Sequence, residues 1–138
     1  IVRAITVREG NDATLIATGG ILNNTVQAAE RLAQRGIQTR VLSMHTIKPL
    51  DIESVLESAR ETGAIITIEE HSMIGGLGSA VAEVLAESGN YRIAFKRIGI
   101  TDSFSSVVGS QEYLLKGLSL SVDGITDAVQ SLLDTKTH

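Results

Sequence analysis

Three short apolar segments, each followed by an amphipathic helical pattern, constrain the fold of this chain most strongly. The segments ATLIAT (13–18), TRVLSM (39–44) and AIITI (64–68) are rich in apolar and β-branched residues, as strands buried on both faces are. After each segment, apolar residues recur at the spacing of one face of a helix. This alternation predicts a parallel sheet covered by helices on both sides, and therefore a three-layer α/β fold.

Local sequence signals mark where the helices begin and end. Gly36 ends a helix predicted at about 22–35, and Asp51 is suited to cap the start of a second helix that Gly63 closes. The remaining predicted elements are a third helix with Leu77, Val81 and Leu85 on its apolar face, a strand at 93–98, a Ser/Gly-rich loop at about 99–109, a short helix from Ser110, and a last helix containing Ile125 and Val129.

The N-terminal segment RAITVRE (3–9) has a different pattern, because polar and apolar residues alternate in it. Such alternation is typical of a strand with one solvated face, and the segment turns through Gly10, Asn11 and Asp12. We therefore expect an edge strand here, with an antiparallel orientation as one interpretation.

The composition limits the classes of function. A chain of 138 residues with 43% hydrophobic residues fits one domain spanning residues 1–138. Its net charge of −4, with scattered basic residues, indicates neither nucleic acid nor a membrane surface as a partner. The absence of cysteine excludes disulfides and thiolate chemistry, and no apolar run approaches the roughly 18 residues of a membrane span. We expect a cytoplasmic protein; because the sequence does not begin with methionine, a piece of a longer polypeptide is one interpretation.

Any chemistry of this fold is expected beyond the carboxyl ends of its strands, where open α/β sheets bind ligands. The residues predicted at those ends are polar residues and glycines, which suit a pocket or an interface. They are Gly19, Gly20, His45, Glu70, His71, Ser72, Gly75 and Gly76, together with Asp102 on the loop after the last strand.

Motif tests weaken the catalytic interpretations of these residues. The glycine clusters lack the third glycine of a dinucleotide fingerprint, since Val81 occupies that position, and there is no P-loop sequence. His45 and His71 are expected at the ends of neighbouring strands, but with Glu69 or Glu70 their spacing matches no metal motif. Glu70 and His71 are residue types that can act as a general acid and base, so that role remains an alternative. Their adjacency does not support it, because neighbouring strand residues point to opposite faces. Asp102 is equally consistent with an ordinary turn, and the nearby serines lack a nucleophile-elbow sequence.

Four stretches taken together resemble one family. They are VREGNDATLIATGG with the helix NNTVQAAERLAQRGI, then VLSMHTIKPLD, then IEEHSMIGGLGSAVAEVLAE, and finally RIGITDSFSSVVGSQEYLLKGLSL. Their order and spacing resemble the C-terminal domain of thiamine diphosphate-dependent transketolases, particularly those encoded as two polypeptides. The resemblance implies a three-layer α/β/α sandwich whose five-stranded, mostly parallel sheet has an antiparallel first strand. It also implies that the strand order reverses between ATLIAT and AIITI, which brings Gly19 and Gly20 near Glu70 and His71.

The resemblance also implies a division of roles. Transketolases transfer a two-carbon ketol unit between sugar phosphates, and other domains hold thiamine diphosphate and Mg²⁺ through a GDG motif that this chain lacks, since Val122 precedes its only Asp-Gly pair. This domain would then bind no cofactor or metal and supply no catalytic residue. Its partners would be the remaining transketolase domains or an N-terminal subunit, with a homodimer as the expected assembly, and the chain alone would be inactive.

Under this resemblance, the corner from Glu70 to Gly76 is expected to be mainly structural and interfacial, with binding of a small anionic regulator as a weaker alternative. The same domain of deoxyxylulose-phosphate synthase or of a 2-oxo acid dehydrogenase β subunit remains an alternative identity. A free-standing regulatory module that binds a small ligand is the alternative from a different class.

Overall fold

Strands and helices alternate along the chain as the apolar pattern predicts. The structure is a computed structural model, and it describes residues 3–45, 47, 49–70, 76–89, 92–99 and 120–136. Within these residues the strands are β1 (Ile5–Arg8), β2 (Ala13–Ala17), β3 (Thr39–Ser43), β4 (Ala64–Glu69) and β5 (Ala94–Gly99). The helices are α1 (Leu22–Gln34), α2 (Ile52–Thr62), α3 (Leu77–Glu87) and α4 (Val122–Lys136). The loop predicted after Gly99 and the helix predicted from Ser110 lie outside the described residues.

The strands form one mixed sheet in the order β1-β3-β2-β4-β5. All of the neighbouring pairs are parallel except β1 and β3, which are antiparallel. The strand order reverses between β2 and β4, because the chain passes from β2 to β3 on one side and continues with β4 on the other. The predicted α/β sandwich with an antiparallel first strand is therefore confirmed.

The strand order corrects one expectation about the histidines. β2 lies between β3 and β4, so the strands that precede His45 and His71 are not neighbours. Two strand spacings separate those strand ends by about 9–10 Å. Periodicity alone does not reveal this, because a strand that is apolar on both faces can pair with any other.

The core lies on both sides of the three central strands. On one side Leu15 and Ile66 pack beneath α1 and α4, while on the other side Ile16 and Ile65 pack beneath α2 and α3. Consecutive residues of β2 and β4 thus serve opposite layers, as the pleat of a strand requires. None of the helices in the described part of the chain combines the length and the apolar character needed to span a bilayer.

Asp51 and Gly63 delimit α2 as predicted. The Asp51 carboxylate accepts hydrogen bonds from Ser54 N at 3.2 Å and from Ser54 Oγ at 2.6 Å. It also accepts a 2.9 Å hydrogen bond from Ala4 N, which ties the segment before β1 to the start of the helix. Gly63 ends α2 with a φ of 71°, a left-handed conformation that favours glycine.

Candidate functional site

Glu69 ends β4 beside the reversal of strand order, and Glu70 follows it directly. Glu69 is only 4% exposed, and its carboxylate accepts hydrogen bonds from Leu77 N at 3.1 Å and from Gly78 N at 2.8 Å. These N–H groups belong to the first turn of α3, whose N-cap, Gly76, has no side chain to accept them. Glu69 therefore caps α3 from the neighbouring strand.

Glu70 lies against the start of the helix in the opposite layer. Its Oε1 is 2.9 Å from the position that a Cβ on Gly20 would occupy. Gly19–Ile21 form a 3-10 turn that leads into α1; Thr18 makes no capping bond, and the first turn of α1 contains no acid. A carboxylate beside the positive end of a helix stabilises it by about 0.3–1 kcal/mol. Because adjacent strand residues point to opposite faces, the two glutamates serve different layers.

Gly78 lets α3 approach the sheet closely. A Cβ at this position would lie 2.6 Å from Arg97 Cδ and 3.1 Å from Thr67 Oγ1. The Arg97 stem thus passes over the first turn of the helix, and its Nη1 donates a 3.3 Å hydrogen bond to Ser79 Oγ. The glycine cluster is therefore a close-packing element next to the capping carboxylate.

The other predicted site residues are only partly described. Gly19 is exposed with a φ of 59°, and His45 is exposed after the buried Met44. The structure brings Gly20 and Glu70 together and keeps the strand end at His45 separated from β4 by β2. The remaining predicted positions lie outside the described residues: His71, Ser72, Gly75 and Asp102.

The described part of this corner does not fit thiamine diphosphate with Mg²⁺. Backbone N–H groups at a helix N-terminus can hold a phosphate, but those of Leu77 and Gly78 are already hydrogen-bonded to Glu69. A second carboxylate, that of Glu70, lies at the start of α1 and would repel a diphosphate. Within the described residues, no group of three or more His, Asp or Glu side chains is arranged to hold a metal.

A polar cavity between β1 and α2 was not predicted from the sequence. It has a volume of about 110 Å³ and is lined in part by Arg40 and by Glu9, Glu57 and Glu61. Arg40 is buried, donates a 3.3 Å hydrogen bond to Ser58 Oγ and pairs with Glu61. One buried arginine surrounded by three acids suits ordered water better than an anionic ligand. The sequence signal that could have indicated this cavity is Arg40 itself, the single charged residue in the apolar segment TRVLSM.

Comparisons with known proteins agree on one domain type. Residues 3–125 match the family model described as "Transketolase, C-terminal domain". The chain is 43% identical over 134 residues to the 6-deoxy-6-sulfo-D-fructose transketolase subunit SqwH of Clostridium sp. (strain MSTE9), covering 97% of this chain and 41% of that protein. It is 42% identical to an apulose-4-phosphate transketolase subunit of Phocaeicola vulgatus, covering 89% of this chain and 38% of that protein.

Two further comparisons bear on the breadth of the similarity. The 1-deoxy-D-xylulose-5-phosphate synthase 1 of Geobacter sulfurreducens is 41% identical, over 93% of this chain and 20% of the synthase. A solved structure described as "Split gene transketolase, inactive beta4 tetramer" superposes with a TM-score of 0.83 at 42% identity, covering 97% of this chain and 43% of the other. The chain thus spans less than half the length of each of these proteins.

Proposed function

Because this chain belongs to the family of transketolase C-terminal domains, we propose that residues 1–138 form one such domain of a thiamine diphosphate-dependent transketolase. The complete enzyme transfers a two-carbon ketol unit between sugar phosphates in the cytoplasm. This chain contributes to assembly and homodimer formation, supplies no cofactor ligand, and is inactive alone. Its partners are the remaining transketolase domains, on the same polypeptide or on a second one.

The observation that carries this proposal is the capping of α3 by Glu69. At the reversal of strand order, where an open α/β sheet would bind a ligand, the buried acid is used by the fold itself. Because Leu77 N and Gly78 N already donate to Glu69, these two groups of the described corner are not free to bind a substrate, which favours a role in domain contact.

The exposed residues of this corner are the proposed contact surface. Gly19, Gly20, His45 and Glu70 are all exposed at the carboxyl edge of the sheet. We assign to them, and to Gly76 at the start of α3, contact with the remaining domains. The same role is proposed for His71, Ser72, Gly75 and Asp102, which the sequence alone places at this edge.

Reconstitution tests the proposal directly. The chain is co-expressed with the remaining transketolase domains, including the one that carries the GDG motif, and ketol transfer between sugar phosphates is measured with thiamine diphosphate and Mg²⁺ present. We expect activity only when both are present. Full activity without this chain, or tight calorimetric binding of thiamine diphosphate and Mg²⁺ by this chain alone, would contradict the assigned role.

A matched pair of variants tests the contact surface. Glu70→Lys reverses an exposed charge at the corner, and Glu83→Lys reverses an exposed charge within α3. We expect Glu70→Lys to weaken complex formation in a pull-down titration while Glu83→Lys does not. Equal binding by the two variants would remove Glu70 from the interface.

The similarity to a synthase supports a second candidate function. The Geobacter sulfurreducens protein is 41% identical to this chain, close to the values for the two transketolase subunits. The reconstituted complex is therefore also assayed for formation of 1-deoxy-D-xylulose 5-phosphate. That product in place of ketol transfer would identify the chain as part of a synthase, and failure of both assays with every matching partner would favour a free-standing module.

A further inference from the structure

A groove between α2 and α3 lies at the amino end of the sheet. Its volume is about 310 Å³, and its lining residues come from α2, from the end of α3 and from the segment before β5: Leu56, Ala59, Arg60, Ser88 and Ile93. Small-molecule sites usually have volumes of about 300–1,000 Å³, so a compact ligand fits here. We call this cavity the α2–α3 groove.

Most of the lining of the groove is apolar. Leu56 and Ile93 are half-buried and pack against the core cluster that contains Ala59. Ile52 lies one turn before Leu56 on the same side of α2 and is 50% exposed, so the apolar surface continues toward the start of the helix. An apolar body in the groove would remove the exposed area of Leu56 and Ile93 from water, which favours binding.

Among the described residues that line the groove, Arg60 alone is charged, and its charge is positive although the chain carries a net charge of −4. Arg60 is exposed and lies in the last turn of α2. Within the part of the chain that the structure describes, its guanidinium forms no hydrogen bond or ion pair. The planar fork of N–H donors is therefore available, and its geometry matches that of a carboxylate.

The acidic neighbours of Arg60 on α2 lie on the other side of the helix. Glu57 and Glu61 line the polar cavity beside β1, together with the buried Arg40. Their charges are therefore directed away from the α2–α3 groove, and the groove keeps the positive charge of Arg60.

The carbonyl groups at the ends of the two helices are bonded within the fold. Thr62 O accepts a 2.9 Å hydrogen bond from Lys136 Nζ, and Leu85 O accepts a 2.7 Å hydrogen bond from Ser88 Oγ. The end of a helix otherwise disfavours an anion. Because the ammonium group of Lys136 lies at the end of α2, a negative charge beside Arg60 is better tolerated there.

We propose that the α2–α3 groove binds a small monocarboxylic acid with an apolar body. The carboxylate pairs with Arg60, and the body lies against Leu56 and Ile93. A sugar phosphate does not suit the groove, because its hydroxyl groups would lie against apolar side chains without hydrogen-bond partners. The groove is at the opposite end of the sheet from Glu69, so the inference does not depend on the proposed function.

Two ligands of similar shape and different charge test the inference. Phenylacetate offers a carboxylate and an aromatic ring, and phenylacetamide replaces the carboxylate with a neutral amide. Each is titrated into the full chain while backbone amide signals are followed by NMR. We expect phenylacetate to shift the signals of Ala59, Arg60 and Ile93, and to bind about two- to fivefold more tightly than phenylacetamide, as an exposed ion pair allows.

Three variants separate the charge from the apolar lining. Arg60→Gln is expected to weaken phenylacetate to the affinity of phenylacetamide, because the side chain stays polar and loses its charge. Arg35→Gln is the matched control, since Arg35 is an exposed arginine at the end of α1 in the opposite layer, and it should leave both affinities unchanged. Leu56→Ala should weaken both ligands by a similar factor, because it removes apolar contact and no charge.

Each of three outcomes would overturn the inference. The first is the absence of a saturable shift with phenylacetate, or shifts that leave the signals of Ala59 and Ile93 unchanged. The second is equal affinity of the parent chain for the acid and the amide. The third is an Arg60→Gln variant that keeps the preference for the acid. None of these outcomes bears on reconstitution with the remaining domains, so the proposed function stands or fails separately.

Discussion

Gly78 N donates a 2.8 Å hydrogen bond to Glu69 Oε2, although the two residues belong to a helix and to the strand before it. The absence of a side chain on Gly78 brings the helix start close to the sheet, within reach of the buried carboxylate. One acid and one glycine therefore hold the end of β4 against the start of α3.

Replacing Glu69 with glutamine should destabilise the fold without changing the size of the side chain. The amide offers one oxygen, so either Leu77 N or Gly78 N loses its acceptor in a buried position. A buried donor left unsatisfied costs about 1–3 kcal/mol. We expect Glu69→Gln to lower the free energy of unfolding by that amount, measured by urea denaturation.

Glu83→Gln is the matched control for this variant, because Glu83 is an exposed glutamate within α3. A surface substitution of this kind is expected to change stability by at most about 0.5 kcal/mol. Equal stability of the two variants would show that the Glu69 cap contributes nothing measurable.

Gly78→Ala should be destabilising although alanine is the better helix former. The propensity gain is about 1 kcal/mol. Against it, the new methyl group would lie 2.8 Å from Arg97 Cγ and 3.1 Å from Thr67 Oγ1, and Thr67 is fully buried. Overpacking of this kind costs about 1–3 kcal/mol, so we expect a net loss of unfolding free energy in urea. A more stable variant would mean that α3 shifts outward easily.

The two glycines before α1 should respond differently to alanine. At Gly20 a methyl group would meet only the end of the exposed Glu70 side chain, which can rotate away. At Gly19 there is space, but its φ of 59° costs an L-residue about 1–2 kcal/mol. We expect Gly20→Ala to melt within a few degrees of the parent and Gly19→Ala to melt lower. The reverse order in thermal denaturation would contradict the geometry described for this turn.

Much of the fold follows from local sequence signals. The apolar segments, the Asp51 cap and Gly63 place the strands and helices to within about two residues, because each signal acts on its own neighbourhood. The antiparallel orientation of β1 was an interpretation of the alternating RAITVRE pattern, and the family resemblance supplied the sheet type. The order of the strands could not be predicted from the residues alone, since it depends on which of several equally apolar strands pair.

The candidate site was harder to predict, because its residues act through contacts between separate segments. Glu70 drew attention as a candidate acid, yet the buried Glu69 makes the hydrogen bonds that close the corner. Sequence adjacency does not reveal which of two neighbouring acids points to which layer. Arg40 is the charged residue of β3, and only packing shows that Ser58 and Glu61 accept its hydrogen bonds.

Asp51 should make the stability of the fold sensitive to acid. Burial raises the pKa of its carboxyl, but hydrogen bonds from the Ser54 side chain and from the Ala4 and Ser54 backbone, with the charge of Arg3, outweigh burial and lower it overall. The pKa of an aspartate in an unfolded chain is about 3.9. Below that pH the unfolded chain binds the proton more readily than the folded chain, so stability falls as the pH falls through the folded pKa.

The variant Asp51→Asn separates this contribution from general acid denaturation. Near pH 7 we expect it to be less stable than the parent by about 0.5–1.5 kcal/mol, because the amide can still cap Ser54 N with its one oxygen but loses the acceptor that Ala4 N and Ser54 Oγ share. As the pH drops below about 4, the unfolded parent takes up a proton on Asp51 before the folded parent does, so the difference should shrink. Urea unfolding of both proteins between about pH 7 and pH 3 measures that difference. A difference that stays constant over this range would mean that Asp51 holds Ala4 and Ser54 equally well without its charge.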